Sequence, residues 1–523
     1  MDHQMVNPHP EENNGAPEKV RAKLNKRARE MAVVFLLGLL VFSTLAFWTS
    51  RHLRIFSADA LNLAYLAKTL GFGRFPLTSD SRLFLLPMPV ILQIPLMAIP
   101  GLWPDVSAGI IISIISASFL GALLFDFAKS YGFPAILRWL LWIIFIANPF
   151  ILVEAVNGTS VIFMMCLFFL LLSIAFRWLE NRHWLMLLNL GLSSALAIMT
   201  RFNSLVFIII PLVIVGINAL WEKPDQPAYA ENAIWIIATP VVYVILARFF
   251  FISALSGSAL FFENFDKRIS FSIELPSAAS GLNNLQYLNH SFATFISQIS
   301  YVFPPTFLIL VLLILVSAVK SHWNNILLLA LCCLPVALAY TNTFSPVNRY
   351  LLFIIPSGYF LLVAALNLVG RGRVIVTTLG VLLLLASNVY SAMVITKNTF
   401  PSEQRTFLSS WLHGNPQENF SDANEMAIFI DQHSLEPILT LDQTAGPVVA
   451  FSSFPAHFIT PLNADFLAIL SNLKNFQGYL LLSSTQPLEL TKVFPGLTES
   501  SSVAIESQVG GWYLISLSPE FSR

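Results

Sequence analysis

The decisive stretch of this chain is KVRAKLNKRAREMAVVFLLGLLVFSTLAFWT, residues 19–49. Its first half holds six basic residues, and an apolar run from Met31 to Thr49 follows them directly. That run is close to the roughly 20 helical residues that cross the hydrocarbon core of a bilayer. Positively charged segments stay on the inner side of a membrane, so the pattern predicts a cytoplasmic N-terminus. A cleavable signal peptide is the competing interpretation, but no small-residue cleavage site follows the run, which favours a retained anchor.

The overall composition indicates a membrane protein. Of 523 residues, 56% are hydrophobic and 11% are charged, whereas soluble domains carry about 25% charged residues. The formal net charge is zero, so nucleic acid is not expected as a partner. Cys166, Cys332 and Cys333 fall inside apolar segments, and the nine histidines show no metal-ligand spacing. The sequence therefore predicts neither a disulfide framework nor a metal site.

Twelve apolar segments follow one another along the chain. The second is unusual because it contains Pro87, Pro89, Pro95 and Pro100, and an interior proline costs a helix roughly 3 kcal/mol. It is a poor spanning helix. The segments are residues 31–49, 83–102, 107–126, 135–151, 159–176, 184–200, 203–221, 233–252, 302–319, 325–340, 350–369 and 374–393.

The charges of the short loops test whether the second segment spans. If it stays outside, the short outer loops hold only Arg201 and Arg349 as basic residues, and the short inner loops hold eight. If it spans, this bias reverses and contradicts the positive-inside rule. We therefore predict eleven spanning helices and a long outer loop over residues 50–106. The eight inner residues are Lys129, Arg138, Arg177, Arg182, Lys223, Lys320, Arg371 and Arg373.

The C-terminal tail changes character. From Ser402 onwards, polar amphipathic stretches alternate with short apolar runs bounded by Pro, Gly and Asn, which is typical of an α/β fold. The predicted fold is thus a polytopic α-helical protein of the plasma membrane with about eleven transmembrane helices and a small extracytoplasmic C-terminal α/β domain. Its parts are a cytoplasmic tail (1–30), a transmembrane domain (31–395) and the α/β domain (396–523).

Asp59 is the first candidate functional residue. It opens a predicted helix in the outer loop, with Ser57 as a plausible N-cap. On its own, the simpler explanation is an acid in the first turn, which the helix dipole stabilises modestly. Charged groups at a membrane face are nevertheless candidates for function.

Several motifs together resemble the GT-C glycosyltransferases, the enzymes related to protein O-mannosyltransferases and the lipid A aminoarabinose transferase. The resemblance covers most of residues 31–393 and implies a GT-C fold with a family-style α/β appendage. The motifs are SADALNLAYLAKTL (57–70), GFGRFP (71–76), RLFLLPMPVILQIP (82–95), FDFAKSYGFP (125–134), the Thr200–Arg201 element and SPVNRYLLFIIP (345–356).

The resemblance implies a membrane glycosyltransferase that moves a hexose or pentose from a polyprenyl-phosphate donor, with inversion, to an extracytoplasmic protein, lipid or glycan. The phosphate leaves as a stable anion, so the reaction needs a base for the acceptor and cations for the phosphate. Asp59 matches the family's loop carboxylate, which implies the role of general base. Arg349, Arg201 and Arg82 are the candidate ligands of the lipid phosphate, since a guanidinium pairs well with phosphate oxygens.

Other polar residues are weaker candidates. Asp80 could supply a second acid or bind a divalent cation, although TSDS is also an ordinary turn composition. The family often carries an acid where this chain has Thr159 and Ser160, beside Glu154 and Asn157. That departure leaves a second acidic site or metal site without support from the sequence.

Other functional classes remain as alternatives. A transporter or flippase would place ionisable residues near the bilayer midplane and show inverted repeats, whereas the apolar segments here are almost free of charge. A polysaccharide polymerase or ligase would also hold arginines in outer loops but would not need the early carboxylate. An inactive relative kept for assembly is the fourth alternative.

The predicted topology can be tested with a reporter fused after Pro104. A segment 83–102 that does not span leaves this position extracytoplasmic, so an alkaline phosphatase fusion should be active and a fluorescent cytoplasmic reporter dark. The opposite pattern would contradict the eleven-helix topology.

Overall fold

The computed structural model describes most of the helices and the C-terminal sheet. The described residues are 15–74, 88–99, 106–200, 212, 215–216, 218–220, 227–256, 295–299, 302–303, 349–368, 373–396, 402–414, 420–440, 445–483 and 503–517.

The membrane-facing part is helical. Its elements are α1 (Gly15–Phe47, continued by a π-helical turn Trp48–His52), α2 (Ala58–Phe72), α3 (Met88–Met97), α4 (Ser107–Ser130), α5 (Ala135–Ile146), α6 (Pro149–Val156), α7 (Val161–Asn181), α8 (Trp184–Thr200), α9 (Pro227–Ser256), α10 (Ile354–Leu368, preceded by a 3-10 turn Arg349–Phe353) and α11 (Arg373–Thr396).

Within the described residues, five helices are long and apolar enough to cross a bilayer, and a sixth span results if the bent pair α5 and α6 counts as one. The five are Lys26–His52, Ser107–Ser130, Val161–Leu179, Ala228–Ala247 and Thr377–Thr396. The chain is therefore an integral membrane protein. Segments predicted at 203–221, 302–319 and 325–340 lie almost entirely outside the described residues, so the count of eleven stays a prediction. Helix α3 has ten residues, fewer than a bilayer requires.

The predicted single segment 135–151 is two helices that meet at 65°. The cause is local: Pro149 begins α6, and the Asn148 side chain caps it by accepting from the backbone N–H of Phe150 at 3.1 Å and of Ile151 at 3.3 Å. The Asn148 amide also donates to Asn388 Oδ1 of α11 at 2.8 Å. Both asparagines are buried, so the bend is tied to a neighbouring helix.

A buried carboxylate marks one end of the helix bundle. Asp126, near the end of α4, has 1% of its side chain exposed. It accepts from Arg27 Nε at 2.5 Å and from Arg27 Nη2 at 2.7 Å, and Arg177 at the end of α7 donates to it as well. The N-terminal half of α1 and the ends of α4 and α7 therefore meet here, and we call this the Asp126 end.

A second ion-pair group lies at the Asp126 end. Glu30 of α1 accepts from Lys129 Nζ at 2.7 Å and from Arg138 Nη1 at 3.1 Å. Lys129, Arg138 and Arg177, all predicted to lie in inner loops, are thus grouped at one end of the bundle. Helix α1 runs from Arg27 at this end to Phe47, and α2 begins soon after it at Ala58, so the first turn of α2 lies at the opposite end, which we call the Asp59 end.

The C-terminal part contains a five-stranded sheet in the order β2-β1-β3-β5-β4. Strand β1 is parallel to β2 and β3, and β5 is antiparallel to β3 and β4. A mixed sheet with helices confirms the predicted small C-terminal α/β fold. The elements are α12 (Ser402–His413), α13 (Ser421–His433), β1 (Ile438–Thr440), α14 (Gly446–Phe451), β2 (Phe458–Ile459), α15 (Phe466–Ser471), β3 (Gly478–Ser483), β4 (Val503–Val509) and β5 (Trp512–Leu517).

Helix α2 shares its hydrophobic core with this sheet region. Leu61 and Tyr65 of α2 are buried in one cluster with Met426 of α13, Ile438 of β1 and Val448 of α14. Each fully buried side chain of this size contributes about 1.5–3 kcal/mol. The α/β domain is therefore packed onto the early loop helix.

Helix α12 instead packs on the bundle. Phe407 and Leu408 join the main transmembrane core, and Trp411 Nε1 donates to Thr49 Oγ1, at the end of α1, at 2.9 Å. The segment that links the membrane helices to the sheet is thus fixed at the Asp59 end.

Replacing Asp126 with Asn should destabilise the bundle more than replacing Glu30 with Gln. We expect Asp126→Asn to lower the free energy of unfolding by about 2 kcal/mol, because hydrogen bonds to charged groups contribute about 1.5–3 kcal/mol and water compensates the arginines in part. Glu30 and Lys129 are partly exposed, so Glu30→Gln should cost less than about 1 kcal/mol. Denaturation in detergent measures the free energy of unfolding of both variants. Equal losses would contradict the larger contribution of the buried Asp126 ion pairs.

Candidate functional site

The candidate base Asp59 lies in the first turn of α2. Ser57, which is fully buried, is the N-cap, and its side chain accepts from the backbone N–H of Ala60 at 3.5 Å. Asp59 is partly exposed as a residue. The helix dipole favours a negative charge at this position.

A tight turn after α6 supports the start of α2. Gly158 has φ +77°, and a Cβ there would lie 3.1 Å from Cβ of Ala60 and 3.3 Å from the backbone nitrogen of Ile110. The turn is held by Asn157 Oδ1, which accepts from the backbone N–H of Thr159 at 3.0 Å. The residue next to Asp59 therefore packs on a backbone surface that requires glycine.

A buried acid lies behind this turn. Glu154 of α6 is 2% exposed and accepts from Thr159 Oγ1 at 2.8 Å. Gln404 Nε2 of α12 lies at 3.5 Å from its other oxygen, and Ser113 of α4 donates to the carbonyl of Thr159 at 3.1 Å. Thr159, which stands where the resemblance leads one to expect an acid, is thus paired with an acid five residues earlier. Sequence reasoning named Glu154 but missed its burial and its contact with α12.

Gln93 of α3 is a site residue that sequence reasoning missed. It is fully buried, and neither of its amide atoms has a hydrogen-bond partner among the residues that the structure describes. A Cβ on Gly109 would lie 3.2 Å from Gln93 Nε2 and 3.2 Å from the carbonyl oxygen of Gly158. The signal in the sequence is one amide in the apolar run VILQIPLM. Four elements, α2, α3, α4 and the turn after α6, therefore converge at the Asp59 end.

The comparisons with known proteins concern the fold. No family model matches the chain, and no curated protein matches it. A crystal structure of ArnT from Cupriavidus metallidurans bound to undecaprenyl phosphate superposes with a TM-score of 0.60 at 11% identity, over 93% of this chain and 98% of that one. ArnT from the same organism in the apo state gives 0.57 at 12% identity, over 95% and 99%. The chain has an ArnT-like fold. The resemblance found in the sequence is therefore confirmed for the fold.

Two ring contacts orient the helix that follows Arg349. The ring of Phe353 lies 5.9 Å from that of Phe168 in the middle of α7, and Phe360 lies 4.6 Å from Phe127, next to Asp126. Helix α10 thus runs towards the Asp126 end. Arg349, at the start of the 3-10 turn that precedes α10, lies on the side of the Asp59 end; the structure describes its backbone alone.

The other predicted site residues are not placed. Asp80, Arg82 and Arg201 lie outside the described residues. Within the described ranges, no group of three or more His, Cys, Asp or Glu side chains could hold a metal ion. The described site therefore consists of Asp59, Gln93, Glu154 and the turn at Gly158, with the backbone of Arg349 on the same side.

Gly158→Ala should disturb the start of α2. A non-glycine residue in the left-handed region costs about 1–3 kcal/mol, and the added Cβ crowds Ala60 as well. Gly132→Ala is the matched control, because Gly132 has φ +71° with nothing within 4 Å of a Cβ. Thermal denaturation should show the larger loss for Gly158→Ala, and hydrogen exchange at residues 57–61 should accelerate in that variant alone. Equal effects would contradict the packing of Ala60 on this turn.

Proposed function

We propose that the chain is a membrane glycosyltransferase that transfers one sugar from a polyprenyl-phosphate donor to an extracytoplasmic acceptor, with inversion at the anomeric carbon. The observation that carries the proposal is the ArnT-like fold over nearly the whole length of both chains, combined with an acid at the start of the loop helix α2. ArnT was crystallised with undecaprenyl phosphate, which supports a polyprenyl phosphate as the lipid carrier here.

In this mechanism Asp59 is the general base. Its carboxylate takes the proton of the acceptor hydroxyl while the acceptor oxygen attacks the anomeric carbon of the donor. The bond from that carbon to the phosphate oxygen breaks, and the lipid phosphate leaves with the electron pair. Phosphate needs no protonation to leave, so one base is sufficient. Asp59 is partly exposed, and the dipole of α2 favours a negative charge in its first turn.

The leaving phosphate needs cations. Arg349, Arg201 and Arg82 are the proposed ligands, because a guanidinium binds phosphate oxygens in a bidentate manner. The direction of α10 supports Arg349, since it brings the start of that segment to the side of the bundle where Asp59 lies. The proposed donors carry hexoses or pentoses, and the proposed acceptors are envelope proteins, lipids and glycans.

Asp59→Asn should abolish most of the transfer. General bases contribute typically about 100- to 10,000-fold to rate, so kcat should fall at least ~100-fold while the donor still binds. The matched control is Asp465→Asn, at an exposed acid in the α/β domain, which should retain wild-type activity. The measurement uses protein in nanodiscs, a panel of radiolabelled polyprenyl-phosphate sugars and a cell-envelope fraction as acceptor.

Two outcomes would contradict the proposal. Full transfer by a folded Asp59→Asn protein would remove Asp59 as the base. A wild-type protein that transfers no sugar but moves polyprenyl phosphate between the leaflets of proteoliposomes would favour the flippase alternative.

A further inference from the structure

Lys68, in the last third of α2, is a fully buried lysine. Burying an ammonium group is costly unless hydrogen-bond acceptors replace its water. Lys68 Nζ donates to the carbonyl oxygens of Ala450 at 2.6 Å and of Ser452 at 2.7 Å. Both acceptors belong to the α/β domain, more than 380 residues away in sequence. This charge is therefore solvated by the backbone of another part of the chain.

The two carbonyl groups that accept from Lys68 are already positioned to bind a cation. They lie at the C-terminal end of α14, where helix carbonyls carry partial negative charge. Asp431 of α13 holds the same loop, since it accepts from Ser452 Oγ at 2.6 Å and from the backbone N–H of Ser453 at 2.7 Å. The geometry of the loop is thus fixed from inside the α/β domain, and its carbonyls are oriented towards α2.

A second polar contact fixes the end of α2. Arg74, just after the helix, donates from Nε to the carbonyl of Ala456 at 2.7 Å, and its own carbonyl accepts from Asn463 Nδ2 at 2.8 Å. The Tyr65 ring packs beside Gly446, where a Cβ would lie 3.6 Å away. Helix α2 is therefore held by the domain along its C-terminal half.

Asp59 and Lys68 lie on opposite faces of α2. They are nine residues apart, about two and a half turns. The face with Lys68 docks on the α/β domain, and the opposite face carries Asp59. An error in how α2 docks would move the carboxyl directly, because a helix transmits displacement as a rigid element.

We propose that the C-terminal α/β domain positions α2 for the reaction, and that Lys68 is the positioning residue that locks this contact. The inference rests on the proposed function of Asp59. In this proposal the α/β domain holds the carboxyl of Asp59 at the correct position relative to the donor and the acceptor.

Lys68→Met and Lys68→Arg in the full chain test the proposal. Methionine keeps the apolar stem but removes the donors, so kcat per donor-binding site should fall about 10- to 100-fold, the effect of misplacing a reacting group by about 1 Å. The donor KM should stay unchanged. Lys68→Arg, which keeps a charged donor, should recover part of the rate. Counting sites by donor binding removes any effect of misfolded protein.

Hydrogen exchange supplies a readout that does not depend on activity. Exchange over residues 58–72 should accelerate in Lys68→Met. It should not change in Lys129→Met, which removes a lysine at the Asp126 end. Unchanged exchange in α2, or unchanged kcat per site in Lys68→Met, would overturn the proposal. A wild-type protein without transfer activity would instead refute the proposed function, while faster exchange in Lys68→Met would still support the docking contact.

Discussion

An ammonium group without access to water needs acceptors around it, and Lys68 finds two of them in the carbonyls of Ala450 and Ser452. This requirement joins the start of the chain to its end. Separating helix α2 from the α/β domain would expose their shared hydrophobic core. It would also remove the two carbonyl acceptors from the Lys68 ammonium group. The position of Asp59, nine residues earlier on a short helix, then follows from two contacts, the domain on one side and the turn at Gly158 on the other.

The charges of the described bundle are divided between its two ends. At the Asp126 end, three arginines and one lysine are paired with Asp126 and Glu30, which stabilises helix ends. At the Asp59 end, polar groups are buried around glycines: Glu154 is hydrogen-bonded, and Gln93 has no partner among the described residues. An end with a partly exposed acid, crowded glycines and a buried amide is suited to hold a ligand, whereas an end of matched ion pairs is suited to hold helices.

Sequence reasoning succeeded where the determining signal is local. Apolar run lengths predicted α4 and α8 to within a few residues, Ser57 marked the start of α2, and alternating patterns identified the C-terminal α/β region. The bend at Pro149 was missed. Proline is common at the first position of a helix, so its presence alone did not indicate that one helix ends and another begins there. The docking of Lys68 could not be predicted, because its acceptors are backbone carbonyl groups and residues of every type carry one. The same is true of Gly158, whose need for glycine comes from Ala60.

The most direct test is photo-crosslinking with a polyprenyl phosphate that carries a diazirine next to the phosphate, followed by mass-spectrometric mapping of the labelled peptides. If the Asp59 end binds the donor, adducts should form in residues 50–106 and around Arg349, and unlabelled polyprenyl phosphate should suppress them. Adducts concentrated between residues 126 and 138, at the Asp126 end, would contradict the assignment of the donor site.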